Sequence, residues 1–265
     1  MRLKIIAVPL AAATLLCGCS VKEDRGVCPC FVRVDFTGEL REPVTARFVD
    51  AQSGEQTKQF EGIRFDANGE MYLDNVQVPR REHVIYAWAR AEKATVLKDM
   101  IVAQPGEEMD SVRTGSAPID TRAEDAGATV KLNCQYCEIR VVVVGGKASN
   151  YPYTFRVNGK VKGVKMIDGS PVDGDFRYTP SMVAGRFSCN VPRQWARENT
   201  LTLSVLEDGE VKSVLPLGEW IANTGYNWTA ESLVPVDITI DYAKAEIHIK
   251  VNDWGLGWSI ENFEI

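Results

Sequence analysis

Along most of the chain, apolar and polar residues alternate with a period of two, the pattern of β-strands with one buried face and one wet face. The clearest run is Lys244 to Asn252, where Ala245, Ile247, Ile249 and Val251 point one way and Glu246, His248, Lys250 and Asn252 the other. The preceding strand matches it, with Val236, Ile238, Ile240 and Tyr242 opposite Asp237, Thr239 and Asp241. A tight connection at Tyr242-Ala243 makes the pair a hairpin. The same alternation predicts strands through Val32, Val34 and Phe36, through Cys137, Ile139, Val141 and Val143, and through Leu201, Leu203 and Val205. Val84 to Ala89 is apolar on both faces, which suits a central strand. Asp66-Ala67-Asn68-Gly69, Asn158-Gly159, Asp168-Gly169, Asp173-Gly174 and Asp208-Gly209 supply residues that tolerate positive φ and are expected as turns. Helical signals are confined to Leu217–Asn223 and Pro192–Glu198, one or two turns each. The chain reads as all-β with short helical insertions, most naturally as sandwiches.

The stretch from Gly115 to Ala128 shows no sustained alternation and is rich in small and charged residues. It is expected to divide an amino-terminal sandwich, 31–117, from a carboxyl-terminal one, 128–265. The 265 residues, 45% hydrophobic and 25% charged, have the composition of a folded protein. A net charge of −6 without a basic stretch lacks the electrostatic footprint of a nucleic-acid binder, so nucleic acid is excluded as a partner.

The first 20 residues are a different polymer. Arg2 and Lys4 precede an apolar run, Ile5 to Leu16, that is too short to span a bilayer and reads as a secretion signal over residues 1–18. The run ends in Leu16-Cys17-Gly18-Cys19, which resembles the bacterial lipobox. Cys19 is therefore expected to carry the lipid and to attach the protein to a membrane it does not cross. Residues 19–30 form the expected tether, and Lys22, Glu23 and Asp24 within it resemble a Bacteroidales signal for export to the cell surface.

Five cysteines remain beyond the lipobox: Cys28, Cys30, Cys134, Cys137 and Cys189. An extracytoplasmic compartment permits disulfides, and an odd count leaves at least one thiol unpaired within the chain. Cys28-Pro29-Cys30 with Cys134 and Cys137 superficially offers four thiolates, but the first pair has a single residue between ligands. Asp66 to Glu70 and Asp168 to Asp175 have the acids of a calcium loop without its full spacing. His83 and His248 are the only histidines, and neither neighbours a nucleophile motif. Asp35 and Glu39 are a pair of acids with nothing to mark them as catalytic. Asp110-Ser111-Val112 resembles a Bacteroidales O-glycosylation sequon. The residues thus point to no catalytic group, no metal and no cofactor. Trp220, Trp228, Trp254 and Trp258 gather late in the chain, where they either pack a core or stack on sugars.

Cys19-Ser20-Val21-Lys22-Glu23-Asp24-Arg25, then Cys28-Pro29-Cys30 and the strand ending Val34-Asp35-Phe36, resembles the opening of the Bacteroidales fimbrial anchor lipoproteins, FimB-type accessory subunits of type V pili. Leu217 to Ala222, Thr224 to Trp228 and Val236 to Tyr242 also look like that family, whereas Phe36 to Gly127 shares only its β character. The resemblance implies two transthyretin-like β-sandwich domains and a structural role in adhesion. It further implies anchoring of a fimbrium to the outer membrane, help with assembly and length control, and a fimbrial shaft subunit (pilin) as partner. In such pili one subunit lends a strand to its neighbour. A chain held through Cys19 keeps its first strand, so the carboxyl end becomes the expected partner-binding segment. There Trp258 and Ile260 alternate, and Phe263 and Ile265 resume one residue out of register. The competing expectation is a glycan-binding outer-membrane lipoprotein that uses the late tryptophans.

Overall fold

The computed structural model describes residues 28–38, 42–145, 153–196, 200–241, 246–251 and 257–261. In chain order the first half carries β1 (Cys30–Thr37), β2 (Val44–Asp50), β3 (Gln56–Ile63), β4 (Met71–Val78), β5 (Glu82–Ala89), β6 (Thr95–Val96), β7 (Met100–Val102), β8 (Arg113–Asp120) and β9 (Asp125–Lys131). The second half carries β10 (Asn133–Cys134), β11 (Tyr136–Val144), β12 (Tyr153–Lys165), β13 (Pro171–Tyr178), β14 (Arg186–Pro192), β15 (Thr202–Glu207) and β16 (Glu210–Leu215). Helix α1 (Leu217–Asn223) follows, then β17 (Val236–Asp241), β18 (Glu246–Val251) and β19 (Gly257–Glu261).

The strands form two pairs of sheets. One pair is β4-β1-β9 with β10-β8-β5-β2-β3, and the other is β14-β11-β17-β18-β19 with β16-β15-β12-β7-β6, to which β13 adds beside β12. The first pair encloses Val32, Val34, Phe36, Phe48, Ile85 and Val130. The second encloses Ile139, Phe155, Val157, Leu203 and Ile238, and α1 adds Leu217, Trp220 and Ile221 to it. The alternation read from the sequence is the alternation of burial along β1, β11 and β17. The hairpin of β17 and β18 pairs Ile238 with Ile249 and Ile240 with Ile247.

A third apolar cluster joins the halves: Tyr86 and Trp88 from β5 meet Ile101, Met109, Val112, Val164 and Met166. This explains why β5 is apolar on both faces. Ile85, Ala87 and Ala89 face the first core, and Tyr86 and Trp88 face the junction. The halves also share backbone, because β7 pairs with β12 through Val164 and Ile101. Gly163 permits that approach, since a Cβ there would lie 2.2 Å from the Ile101 carbonyl oxygen.

Three local expectations are corrected. The stretch from Gly115 to Ala128 belongs largely to β8, beside β5, and to β9, parallel to β1. Its small residues reflect crowding: a Cβ on Gly115 would sit 2.1 Å from the Lys131 carbonyl oxygen. Asn158-Gly159 and Asp173-Gly174 are not turns. They lie inside β12 and β13, where the register shifts mark bulges. Pro192 to Ala196 is not helical: Pro192 ends β14, and the backbone N–H of Arg193 donates to the Gln135 carbonyl at 3.2 Å. The remaining turns hold as read. Asp66 Oδ1 accepts from the backbone N–H of Asn68 and of Glu70. Asp208 and Gly209 both adopt positive φ between β15 and β16.

A buried polar cluster in the first half sets an acid response. Thr121 Oγ1 lies 3.2 Å from His83 Nδ1, and Arg81 Nη1 donates to Asp50 Oδ2 at 2.5 Å. Burial holds the His83 pKa below its usual 6.5. The Arg81 guanidinium, with the backbone N–H groups of Ser53 and Gln52, holds the Asp50 carboxyl well below its usual 3.8. His83 therefore stays neutral in the fold while the unfolded chain takes up its proton, so stability falls as pH drops below 6.5. Asp50 adds a second fall as pH drops below 3.8 toward its folded value. We expect a melting temperature that is level from pH 8 to about 7 and then declines in two stages. His83→Gln should abolish the upper stage alone. A single decline confined to the carboxylate range in the wild-type chain contradicts this assignment.

Candidate functional site

The expected membrane attachment, Cys19 with Lys22, Glu23 and Asp24, lies outside the described residues. Cys28 is exposed, and β1 starts two residues later at buried Cys30. β1 is the middle strand of its sheet. Its residues Phe31 to Thr37 run parallel to Asp125 to Lys131 of β9, and its other edge pairs antiparallel with β4 from Cys30↔Val78 to Phe36↔Met71. Val32, Val34 and Phe36 point into the core, where each buried side chain contributes about 1.5–3 kcal/mol. On the outer face the Arg33 guanidinium binds Asp35 at 2.9 Å and lies 4.4 Å from the centre of the Tyr72 ring. Asp35 is thus engaged in an ion pair, and Glu39 lies outside the described residues.

At the other end, β19 is the outermost strand of its sheet among the described residues. It pairs antiparallel with β18, Trp258 opposite Ile249 and Ile260 opposite Ile247. The expected break at Glu261-Asn262 is not covered, since Asn262, Phe263 and Ile265 lie outside the described residues.

The late tryptophans separate. Trp220 and Trp228 are 6% and 2% exposed and lie in the second core, so neither offers a face to a sugar. Trp254 lies outside the described residues. The loop that carries Trp228 is fastened by a side chain that sequence reasoning missed. Arg193 is 6% exposed, and its Nη1 donates to the carbonyls of Trp228 (2.6 Å) and Ala230 (2.7 Å). Its Nη2 donates to the carbonyls of Cys134 (3.3 Å) and Glu231 (3.0 Å), and its Nε to Gln135 Oε1 (2.8 Å). Lys131 and Glu231 form a further ion pair from β9 to the same loop.

The cysteines are packing groups with hydrogen bonds. Cys30, Cys134, Cys137 and Cys189 are buried thiols. Cys137 Sγ donates to the Val234 carbonyl at 3.5 Å, and burial pushes its thiol up to about 12. Burial raises Cys189 further still. Such thiols stay protonated and are poor ligands and nucleophiles. Among the described residues no group of three His, Cys, Asp or Glu side chains is arranged to hold a metal. In the acidic stretch after β12, Asp168 caps the turn through the Ser170 N–H, Asp173 accepts from Trp195 Nε1 and Asp175 pairs with Lys160. Ser111, in the sequon-like triplet, is half-buried beside Arg90. No described helix is long and apolar enough to cross a membrane.

Sequence comparison matches the chain to no family model and to no curated protein. Comparison of structures does find relatives in fold. A candidate polysaccharide-binding protein of Bacteroides thetaiotaomicron superimposes with a TM-score of 0.64 at 14% identity, over 88% of this chain and 98% of that one. A candidate adhesin of Bacteroides ovatus gives 0.63 at 10%, over 89% and 96%. The fimbrial anchor protein Mfa2 of Porphyromonas gingivalis gives 0.58 at 13%, over 89% and 100%. The likeness therefore runs through both halves of each neighbour. It is a likeness of fold, the all-β sandwich architecture that the alternation predicts, and it falls on fimbrial and adhesin proteins of the group to which the sequence resemblance pointed.

Proposed function

We propose that this chain is a lipid-anchored surface protein that fastens a fimbrium to the outer membrane and takes part in its assembly and length control. The observation that carries this reading is the placement of β1. The segment expected to be tethered through Cys19 continues into the middle of a sheet, hydrogen-bonded along both edges and buried on one face. A pull on the tether loads both neighbouring strands in shear, so the ladder bonds share the force. A first strand held in this way suits a subunit that keeps it. The shared fold with Mfa2, itself a fimbrial anchor protein, supports the reading. The pilin is then engaged at the carboxyl end, through β19 and the residues beyond it, Trp258, Ile260, Phe263 and Ile265. Support comes from the edge position of β19 among the described residues, since an edge strand can accept strand addition.

A pull-down from detergent-solubilised outer membranes tests this. The full-length protein should bring down a fimbrial shaft subunit, and a chain lacking Asn262 to Ile265 should fold, reach the surface and fail to do so. Co-purification of polysaccharide without fimbrial subunits would favour the glycan-binding alternative. Undiminished pilin capture by the truncated chain would remove the carboxyl end from the account.

A further inference from the structure

A cleft of about 1000 Å³ opens in the second half between β12, β13 and the segment that follows β14. One wall is Trp195, 40% exposed. Its indole is not free to swing, because Nε1 donates to Asp173 Oδ1 at 2.7 Å across the cleft. The fixed ring is a rigid apolar surface inside a polar enclosure. The neighbouring Gln194 is 2% exposed, with Nε2 donating to the Pro192 carbonyl at 2.7 Å and Oε1 buried without a hydrogen-bond partner among the described residues. Trp228, also in the cleft wall, buries Nε1 with no such partner. A buried acceptor and a buried donor in the cleft wall thus have no partner among the described residues.

The charges narrow what that group is. Asp168, Asp173 and Asp175 line the cleft. Of the two cations among its described lining residues, Lys160 is paired with Asp175 at 2.7 Å and Arg193 has its donors committed to carbonyls and an amide. Among the described residues an anion would meet carboxylates with no uncommitted cation to offset them. An aliphatic ligand would strand the polar walls. A ligand with one apolar face for the indole and a rim of hydroxyls for carboxylates and amides satisfies both sets. We propose that this cleft is a binding site for a neutral, hydroxyl-rich saccharide, stacked on Trp195 and hydrogen-bonded by Asp173 and Gln194. The site is independent of the anchoring role and stacks its ligand on none of the late tryptophans.

The test uses the full-length protein in detergent, titrated by calorimetry with maltotriose, mannotriose, xylotriose and chitotriose and, in parallel, with sialylated and sulfated oligosaccharides. At least one neutral trisaccharide should bind with a Kd of about 1 mM or tighter. Trp195→Ala should weaken that binding at least about tenfold, with the melting temperature kept. Asp173→Asn, which retains an acceptor for the indole but loses the charge, should weaken it several-fold and serves as the second variant if Trp195→Ala is poorly folded. Absence of neutral binding, binding of acidic sugars alone, or unchanged affinity in the folded variants overturns the proposal.

Discussion

Arg193→Met should lower the unfolding free energy by on the order of 3–5 kcal/mol. The guanidinium is buried with no carboxylate among its bonded partners, and its three nitrogens instead bind four backbone carbonyls and Gln135 Oε1. Burial lowers its pKa from the usual value, as expected of a cation taken out of water, yet it remains charged at any physiological pH. A methionine fills the volume and leaves the acceptors dry. The loop from Trp228 to Glu231 then loses its attachment to Cys134 and Gln135, and with it the lock on Trp228 in the second core. Arg193→Lys should recover only part of the loss, because an ammonium has three donors and no planar fork. Urea denaturation followed by far-ultraviolet circular dichroism measures both. A loss below about 1 kcal/mol for the methionine variant would show that the loop holds itself.

The strands were legible because one-sided burial writes itself into a period of two, as along β1, β11 and β17. Positions whose surroundings come from distant sequence were not. Gly115 and the small residues after it look like a linker, and only the close approach of Lys131 shows that they serve packing. Asn158-Gly159 has the local chemistry of a turn, but Asn158 Nδ2 donates to Ser204 Oγ at 3.0 Å from within a long strand, so pairing with β15 overrides it. The doubly apolar pattern of β5 announced a central strand without saying that its second face covers the junction between halves. Arg193-Gln194-Trp195 reads locally as part of a short helix over Pro192–Glu198. A charged residue, an amide and an indole in succession just after an alternating strand were the available signal. Arg193 becomes a buried clasp through partners 35 to 59 positions away, and Trp195 a platform pinned by Asp173 22 positions away, so no local pattern encodes either fate.

The anchoring account links a lipid on Cys19, through a tether, to a strand locked in the middle of a sheet, and from there to an edge strand at the opposite end of the sequence. Each link is mechanical, so cutting the first should release everything beyond it while leaving the folded body intact. The most direct measurement is the distribution of fimbriae between cells and culture medium in a strain that carries Cys19→Ala as its only copy. The account predicts that fimbriae shift almost entirely to the medium, with the unlipidated protein still attached to them. Fimbriae that stay on the cells in wild-type amount, with the variant protein released alone, would contradict it.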